Sequence, residues 1–404
     1  MGLSNTPSAY GSLAKLLHRF TLLLMMAVIP LGIIAHGLEI GPDTLTRKAR
    51  LFSLHKTLGL ALFFTALIRI LWALVQPKPA ALHPDRKLED FLARMVHWLL
   101  YSALVIVPLS GWVHHAATEG YAPIWWPFGQ SLPFVPIDAN VAAISAGLHV
   151  IFQRVLMAAI LLHVMGALKH HLFDRDDTLR RMLPGRRDIR APSAGATEGK
   201  NGLFPFLGAL VIWALALGIG AQLGVLSRDS QAAQIATLEE VETGWDVQEG
   251  TLSLAVSQFG NRVEGSFGDW TAGILFNEEP DAEGRFGSVD VQIAIGSLTL
   301  GSVTSQALGA DFFNADGFPT ARYTADIFAN PDGGYLAEGM LTLKGNTIDV
   351  PLAFTLAMEG DIARMSGTAQ LDRRDFGIGT GYDDESTVSF TVDVRVDLTA
   401  KQLR

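Results

Sequence analysis

Five long apolar segments constrain the fold of this chain more than any other feature of its sequence. A helix needs about 20 mainly apolar residues to cross the hydrocarbon core of a bilayer. With hydrophobic residues at 49% and charged residues at 18%, the chain is more apolar than an average soluble domain. The sequence therefore predicts a multi-pass membrane protein with five spanning helices. The segments are Leu13–Ala35, Leu54–Val75, Met95–His114, Val141–Leu168 and Leu203–Val225.

The first segment has a second interpretation as a cleaved signal peptide, because Lys15 and Arg19 precede its apolar run. Its length, its internal Pro30 and the lack of a small-x-small cleavage site before His36 favour a retained helix.

Basic residues predict the orientation of the helices. Residues 169–200 carry eight Lys and Arg, whereas the loop 116–140 carries none. Because basic loops stay in the cytoplasm, we expect the N-terminus in the cytoplasm and everything from Arg228 onward on the outer side of the membrane. Three basic residues in the first external loop disagree with this orientation: Arg47, Lys48 and Arg50.

A second module follows the last segment, where the period of the apolar residues changes to two. Between Thr387 and Leu398 apolar side chains alternate with polar ones, as in a strand with one apolar face. Leu252–Val256 and Val289–Ile293 alternate in the same way. Turn signals separate such stretches at Asp332-Gly333-Gly334 and Lys344-Gly345-Asn346. About 160 residues of short antiparallel strands predict a closed barrel or a sandwich.

The two modules differ in charge. Residues 1–225 carry 20 Lys and Arg against 12 Asp and Glu, whereas residues 226–404 carry 11 against 28. This acidic balance gives no indication of nucleic-acid binding. The predicted parts are a four-helix membrane domain over 1–190, a cytoplasmic linker over 191–202, a fifth helix over 203–226, a periplasmic linker over 227–243 and a β domain over 244–404.

Cysteine is absent, and all 11 histidines lie between His18 and His171. Disulfides, thiolate zinc sites and iron–sulfur clusters are therefore excluded. Chemistry that needs an imidazole belongs to the helical half.

Two histidines in the fourth segment, His149 and His163, predict a cofactor site. Ionisable side chains inside a span are costly and are functional candidates by default. Fourteen helical residues rise roughly 21 Å and fall about 40° short of whole turns, so both imidazoles lie on one face at two depths. Haem iron bound by two histidines needs partners at matching depths on facing helices.

Three other histidines offer such partners. His55 opens the second segment on the external side and matches His149. His18, near the cytoplasmic start of the first segment, matches His163. His97, one turn into the third segment, competes with His18, although an interhelical hydrogen bond is the favoured interpretation for His97.

The sequence around these histidines resembles the cytochrome b561 family of four-helix, di-haem membrane cytochromes, over about residues 13–183. The matching phrases are His55-Lys56-Thr57-Leu58-Gly59, Arg94-x-x-His97-Trp98-Leu99-Leu100-Tyr101, Pro108-Leu109-Ser110-Gly111-Trp112 and His163-x-x-Gly166-Ala167-Leu168-x-His170-His171. The resemblance implies two b-type haems. It places the axial ligands on His18, His55, His149 and His163, in agreement with the depth argument.

Arg69 and Arg154 lie in the interior of their spans. Arg69 is fourteen residues after His55, hence on the same helix face at the depth of the inner haem. We expect it to bind a haem propionate, with an interhelical ion pair as the alternative. Arg154 faces away from the haem-binding stripe, and a substrate contact and a structural ion pair are equal alternatives for it.

An external group of histidines comprises His36, His114 and His115, beside Trp125 and Trp126. We expect the aromatic residues to anchor the chain at the membrane interface and the histidines to be exposed. Proton transfer near a quinol site is the weaker alternative.

Two axial histidines leave haem iron no open position on the protein side, so one-electron transfer is expected rather than oxygen activation. The sequence has no nucleotide-binding fingerprint, and a membrane quinone is the natural two-electron partner. No catalytic residue is predicted.

The β module resembles the YceI family of lipocalin-like periplasmic proteins from Trp245 to Thr399. The matching phrases are Val263-x-Gly265-x-Phe267, Ser305-x-x-Leu308-x-x-Asp311-Phe312-Phe313, Phe318-Pro319, Gly339-x-Leu341-Thr342-Leu343-Lys344-Gly345 and Arg374-Asp375-Phe376-Gly377-Ile378-Gly379. The resemblance implies an all-β antiparallel barrel that carries an isoprenoid lipid, quinones included. The loop Gly301–Gln306 lacks the basic residue usual in the family, and a barrel filled by its own side chains is the alternative.

Three functions follow from these features. The first is a quinone-linked oxidoreductase, with superoxide as a candidate external donor. The second is a cytochrome b subunit that relays electrons for a separate periplasmic dehydrogenase or hydrogenase. The third is an isoprenoid-binding protein that the helices merely anchor, for which the paired histidines would be dispensable.

Overall fold

The computed structural model describes residues 2–6, 9–79, 82–83, 85–118, 122–183, 202–226, 235–239 and 241–403, apart from the side chain of Ser302. Most of the two predicted linkers, 191–202 and 227–243, lies outside the described residues. So do four of the basic residues that predict the orientation: Arg186, Arg187, Arg190 and Lys200.

Five described helices are long and apolar enough to cross a membrane, which confirms the predicted spans. They are α1 (Ser12–Gly37), α2 (Leu45–Val75), α3 (Lys87–Ala116), α4 (Ala139–Lys169) and α5 (Leu203–Gln222). A π-helical turn, His170–Asp174, continues α4.

Helices α2 and α3 begin earlier than their apolar segments. Arg47, Lys48 and Arg50 belong to the first turns of α2, so their assignment to a loop was wrong. Glu89 and Asp90 lie in the first turn of α3, where acidic side chains favour the helix dipole. Hydropathy marks only the part of a helix that matches the hydrocarbon, whereas backbone hydrogen bonding continues through polar turns.

The fifth helix packs as part of the helical unit. Ala209 and Trp213 of α5 share a buried cluster with side chains of α3 and α4, and Trp213 Nε1–H donates to Ser102 Oγ at 3.0 Å. A side chain at Gly220 would overlap Ile151 of α4. Small residues permit such close contact between membrane helices.

The C-terminal unit is a single antiparallel sheet of eleven strands. The strands are β1 (Trp245–Gln258), β2 (Asn261–Phe267), β3 (Trp270–Phe276), β4 (Gly287–Ala294), β5 (Leu298–Thr299), β6 (Thr320–Ala329), β7 (Tyr335–Leu343), β8 (Asn346–Asp349), β9 (Leu352–Glu359), β10 (Ile362–Asp372) and β11 (Val388–Gln402). Their order is β3-β4-β6-β7-β9-β10-β11-β1-β2-β5, with β8 paired to β7. A short helix, α6 (Thr304–Leu308), lies between β5 and β6.

The sheet curls round so that its end strand β3 returns to β1: the N–H of Gly244, just before β1, donates to the carbonyl of Ile274 in β3 at 2.8 Å. The ring of Trp270 in β3 lies where a side chain at Gly250 of β1 would stand. The architecture is the predicted all-β antiparallel barrel. Its turn at Lys344 and Gly345 has φ of 50° and 77°, the left-handed backbone that favours glycine at the second position.

Candidate haem centres and lipid cavity

Helices α2 and α4 bring His55 and His149 together. Their ring centres are 6.4 Å apart and their planes are 83° apart. His55 Nδ1–H donates to the carbonyl of Val28 at 2.9 Å, and His149 Nδ1–H donates to the carbonyl of Val107 at 2.9 Å. A carbonyl only accepts, so each ring holds its proton on Nδ1 and leaves Nε2 unprotonated and able to bind a metal.

Two glycines give these rings their space. A Cβ atom at Gly32 of α1 would lie 2.7 Å from Cε1 of His55, and one at Gly111 of α3 would lie 3.0 Å from Cε1 of His149. Each imidazole therefore rests against helix backbone that a side chain would cover. Gly111 belongs to one of the sequence phrases quoted above for the resemblance, whereas nothing in the sequence around Gly32 indicates that it contacts a histidine.

Three histidines form an inner group. The ring of His163 on α4 lies 6.3 Å from that of His18 on α1 and 5.1 Å from that of His97 on α3. His18 Nδ1 is buried and has no hydrogen-bond partner among the described residues.

The ring separations test whether an iron atom fits. Two metal–nitrogen bonds of about 2.0 Å each, with roughly 1.2 Å from each nitrogen to its ring centre, require ring centres about 6.4 Å apart. The pairs His55–His149 at 6.4 Å and His18–His163 at 6.3 Å match this span. The pair His97–His163 at 5.1 Å is too close. The residues present fit two bis-histidine irons.

Arg69 lies near the inner group. Its charge acts on both His18 and His163, and its guanidinium stacks on the ring of Tyr101 at 5.4 Å. No acidic partner lies within ion-pair distance of it in the described part of the chain, which removes the support for the ion-pair alternative. Arg154 is exposed on α4, and no described contact explains it.

The external histidines differ from expectation. His115 is only 6% exposed; its Nε2–H donates to Gln130 Oε1 at 2.8 Å, and its Nδ1 accepts from Lys56 Nζ at 3.3 Å. His114 Nδ1–H donates to the carbonyl of Ala142 at 2.9 Å. The expectation of exposed histidines was therefore wrong for both and right for His36. Gln130 in the loop before α4 thus contacts His115, and Ala142 in α4 contacts His114.

A pocket of about 450 Å³ lies beside this loop within the helical unit. Its lining is mainly aromatic and aliphatic and comprises Thr57, Leu60, Ala61, Phe64, Trp112, Ile124, Trp126 and Phe128. Trp112 Nε1 is buried and has no hydrogen-bond partner among the described residues. The pocket is therefore apolar, and one of its lining residues carries an indole N–H without a partner in the described part of the chain.

The barrel encloses a cavity of about 280 Å³ with an almost entirely apolar lining. Val388, Val392, Val394 and Val396 of β11 face it as the alternation predicts. Phe390 is not among the lining residues, and its ring lies 3.9 Å from the guanidinium of Arg374. The register of β11 against β1 shifts in this stretch, which breaks the simple alternation.

Two amides interrupt the apolar lining, Gln258 of β1 and Gln306 of α6. Gln258 is 5% exposed. Neither Gln258 Oε1 nor Gln306 Nε2 has a hydrogen-bond partner among the described residues. The periodicity of the sequence could not have identified these two glutamines as cavity residues, because glutamine is an ordinary surface residue.

Comparison with known proteins gives this geometry a context. Residues 9–185 match the model of the family described as "Prokaryotic cytochrome b561". Cytochrome b561 homolog 2 of Escherichia coli is 31% identical over 184 residues, which are 45% of this chain and 95% of that protein. The chain belongs to the prokaryotic cytochrome b561 family. The probable superoxide oxidase CybB of Yersinia pestis is 27% identical over 33% of this chain and 75% of its own.

The cytochrome b561 domain is fused to a domain of a second family, because residues 245–400 match the model of the YceI-like domain. Among solved structures, BcnA of Burkholderia cenocepacia is 30% identical, with a TM-score of 0.35, over 39% of this chain and all of BcnA. A Campylobacter jejuni YCEI protein is 21% identical, with a TM-score of 0.31, over 44% of this chain and 99% of its own.

The protein is a membrane protein of haem b-dependent electron transfer, because it belongs to the cytochrome b561 family and has five apolar helices long enough to cross a membrane. Haem b supplies one-electron chemistry at its iron when it is bound. The resemblances inferred from the sequence are confirmed for both modules.

Proposed function

We propose that the helical domain holds two haem b groups and transfers electrons between a membrane quinone and a donor or acceptor on the periplasmic side. The observation that carries this proposal is the equal separation of two histidine pairs, 6.4 Å for His55 and His149 and 6.3 Å for His18 and His163. Both pairs share α4, where fourteen residues separate the two depths by roughly 21 Å. Two centres at these depths span most of the bilayer.

The residues around each pair have distinct roles in this proposal. Val28 and Val107 orient the outer imidazoles through their carbonyls. Arg69 supplies a positive charge beside the inner pair and is assigned to a haem propionate. The ring of His97 lies only 5.1 Å from that of His163, and His97 is not assigned as a ligand.

We place the quinone head group in the pocket beside Trp112. A quinone is an apolar ring with two carbonyl acceptors, which suits an aromatic wall that holds one unused N–H donor. A hydrogen-bonded chain of Lys56, buried His115 and Gln130 lies in the same part of the helical unit. It provides groups that exchange protons with a quinol.

We further propose that the barrel binds an isoprenoid lipid with a polar head. Its cavity is lined almost entirely by apolar side chains, and burial of a tail gains about 25 cal/mol per Å². A buried amide without a partner costs about 1–3 kcal/mol, so Gln258 and Gln306 favour a head group with carbonyl or hydroxyl atoms over a pure hydrocarbon. A quinone has that chemistry.

The proposed topology is a cytoplasmic N-terminus in a bacterial inner membrane and a periplasmic YceI-like domain. The domain limits are those predicted from the sequence.

One experiment tests the redox proposal directly. The purified, haem-loaded full chain in detergent receives a water-soluble quinone and a superoxide source, with no other protein present. Quinol formation that depends on superoxide and is lost in His149→Ala supports the oxidoreductase. A protein whose haems are reduced only when a periplasmic dehydrogenase is added would instead be a relay subunit.

A further inference from the structure

A cluster of metal-ligating side chains lies away from both histidine pairs, at the end of α4. It consists of His83 from the α2–α3 loop, His170 at the start of the π-helical turn and Asp176 just after that turn. The ligand atoms of all three lie within 4.8 Å of one another. We propose that this cluster is an exchangeable Zn²⁺ site.

The two imidazoles converge on one carboxylate oxygen. His83 Nε2 lies 3.0 Å from Asp176 Oδ2, and His170 Nδ1 lies 2.7 Å from the same atom. The rings are stacked, with planes only 11° apart and centres 6.2 Å apart. Both therefore present a nitrogen to the same point, and a metal ion would replace the two N–H protons that now face that oxygen.

The chain holds this carboxylate in place. Asp176 Oδ1 accepts from the backbone N–H of Thr178 at 2.8 Å, and the N–H of Asp176 donates to the carbonyl of His170 at 3.1 Å. Arg175 between them has a left-handed φ of 52°, which turns Asp176 back toward His170. π-Helical turns of this kind are frequent at functional sites.

Local charge distinguishes Asp176 from its acidic neighbours. Asp174 pairs with Arg86 at 3.0 Å and with Lys169 at 3.0 Å, and it lies 3.2 Å from His170 Nδ1, farther than Asp176 does. Lys169 also pairs with Glu89 at 2.7 Å. Within the described residues, the ion-pair partners of Asp176 are the two imidazoles. A divalent cation at Asp176 therefore displaces no lysine or arginine, whereas one at Asp174 and Glu89 would.

The ligand set has the composition of a zinc site with an open position. Two imidazole nitrogens and one carboxylate oxygen supply three ligands, and water completes a tetrahedron. The side chain of His83 is 33% exposed and that of Asp176 is 10% exposed, so an ion can enter from solvent and meet a shielded carboxylate. A bound ion would tie the α2–α3 loop to the end of α4.

Zinc binding by the purified, haem-loaded full chain tests this proposal. Equilibrium dialysis against Zn²⁺ buffered by a chelator should give one more bound equivalent in the native chain than in His83→Ala or Asp176→Asn. The control His171→Ala removes a neighbouring histidine outside the cluster and should keep that equivalent. The haem absorption spectrum reports whether each variant is folded.

Two further measurements make the outcome decisive. X-ray absorption at the zinc edge should show two imidazole nitrogens and oxygen at about 2.0–2.2 Å. Zinc should raise the melting temperature of the native chain and of His171→Ala, but not that of His83→Ala. Equal zinc binding by the native chain and folded His83→Ala, or loss of the same equivalent in His171→Ala, overturns the proposal.

Discussion

His149 donates its Nδ1–H to the carbonyl of Val107 at 2.9 Å, so a backbone group of α3 fixes the orientation of a side chain on α4. This hydrogen bond joins the two helices next to Pro108, which lies inside α3. The ring of His149 held in this way lies 6.4 Å from that of His55, measured between ring centres.

The first prediction concerns the haem ligands. His55→Ala and His149→Ala should each remove the outer haem, and His18→Ala and His163→Ala the inner one, because iron loses one of its two axial nitrogens. Haem quantification should give one haem per chain in each variant and two in His97→Ala. Loss of a haem in His97→Ala, with both retained in His18→Ala, would reverse the inner assignment.

The second prediction concerns the glycines that make room for the outer imidazoles. Gly32→Ala should push the ring of His55 from its place, since the new Cβ would stand 2.7 Å from Cε1. Overpacking of this kind costs about 1–3 kcal/mol, and the outer haem should change its spectrum or be lost. The matched control is Gly59→Ala, whose Cβ meets nothing within 4 Å; an equal effect in both variants would contradict the prediction.

The third prediction concerns the donor in the aromatic pocket. Trp112→Phe keeps an aromatic wall and removes the buried N–H. The lost hydrogen bond, about 0.5–1.5 kcal/mol, should raise the KM for quinone by about 2- to 12-fold with both haems retained. Steady-state quinone reduction measures it. An unchanged KM would move the head group to another site.

The fourth prediction concerns the two amides in the barrel. Gln258→Leu and Gln306→Leu in the full chain should fold, because each removes a buried polar atom without a partner. Solvent extraction and mass spectrometry should show less quinone bound per barrel than in the native chain. If the variants release the same lipid in the same amount as the native chain, the barrel carries lipid without selecting its head group. If the native barrel is empty, the carrier proposal is wrong.

The fifth prediction is topological. A reporter that is active only in the periplasm should be active when fused after Arg404 and inactive when fused after Arg190, because the basic segment 169–200 should remain in the cytoplasm. The opposite pattern of activity would overturn the proposed orientation.

The sequence alone determined the features that depend on position within one element. A spacing of fourteen residues fixes the relative angle of His149 and His163 on any α-helix, and alternation fixes which valines of β11 share a face. Hydropathy located the five spans for the same reason, because the bilayer sets a minimum apolar length.

Only the tertiary structure decided what depends on contacts between elements. It set the distances from the ring of His163 to those of His18 and His97, 6.3 Å and 5.1 Å, because the spacing between helices is not encoded in either helix by itself. It buried His115 against Gln130 through a loop without periodicity, and a register shift took Phe390 out of the cavity lining. Packing also placed the two amides, Gln258 and Gln306, in the barrel cavity and brought together the cluster of His83, His170 and Asp176. Residues far apart in the sequence become neighbours only in this way.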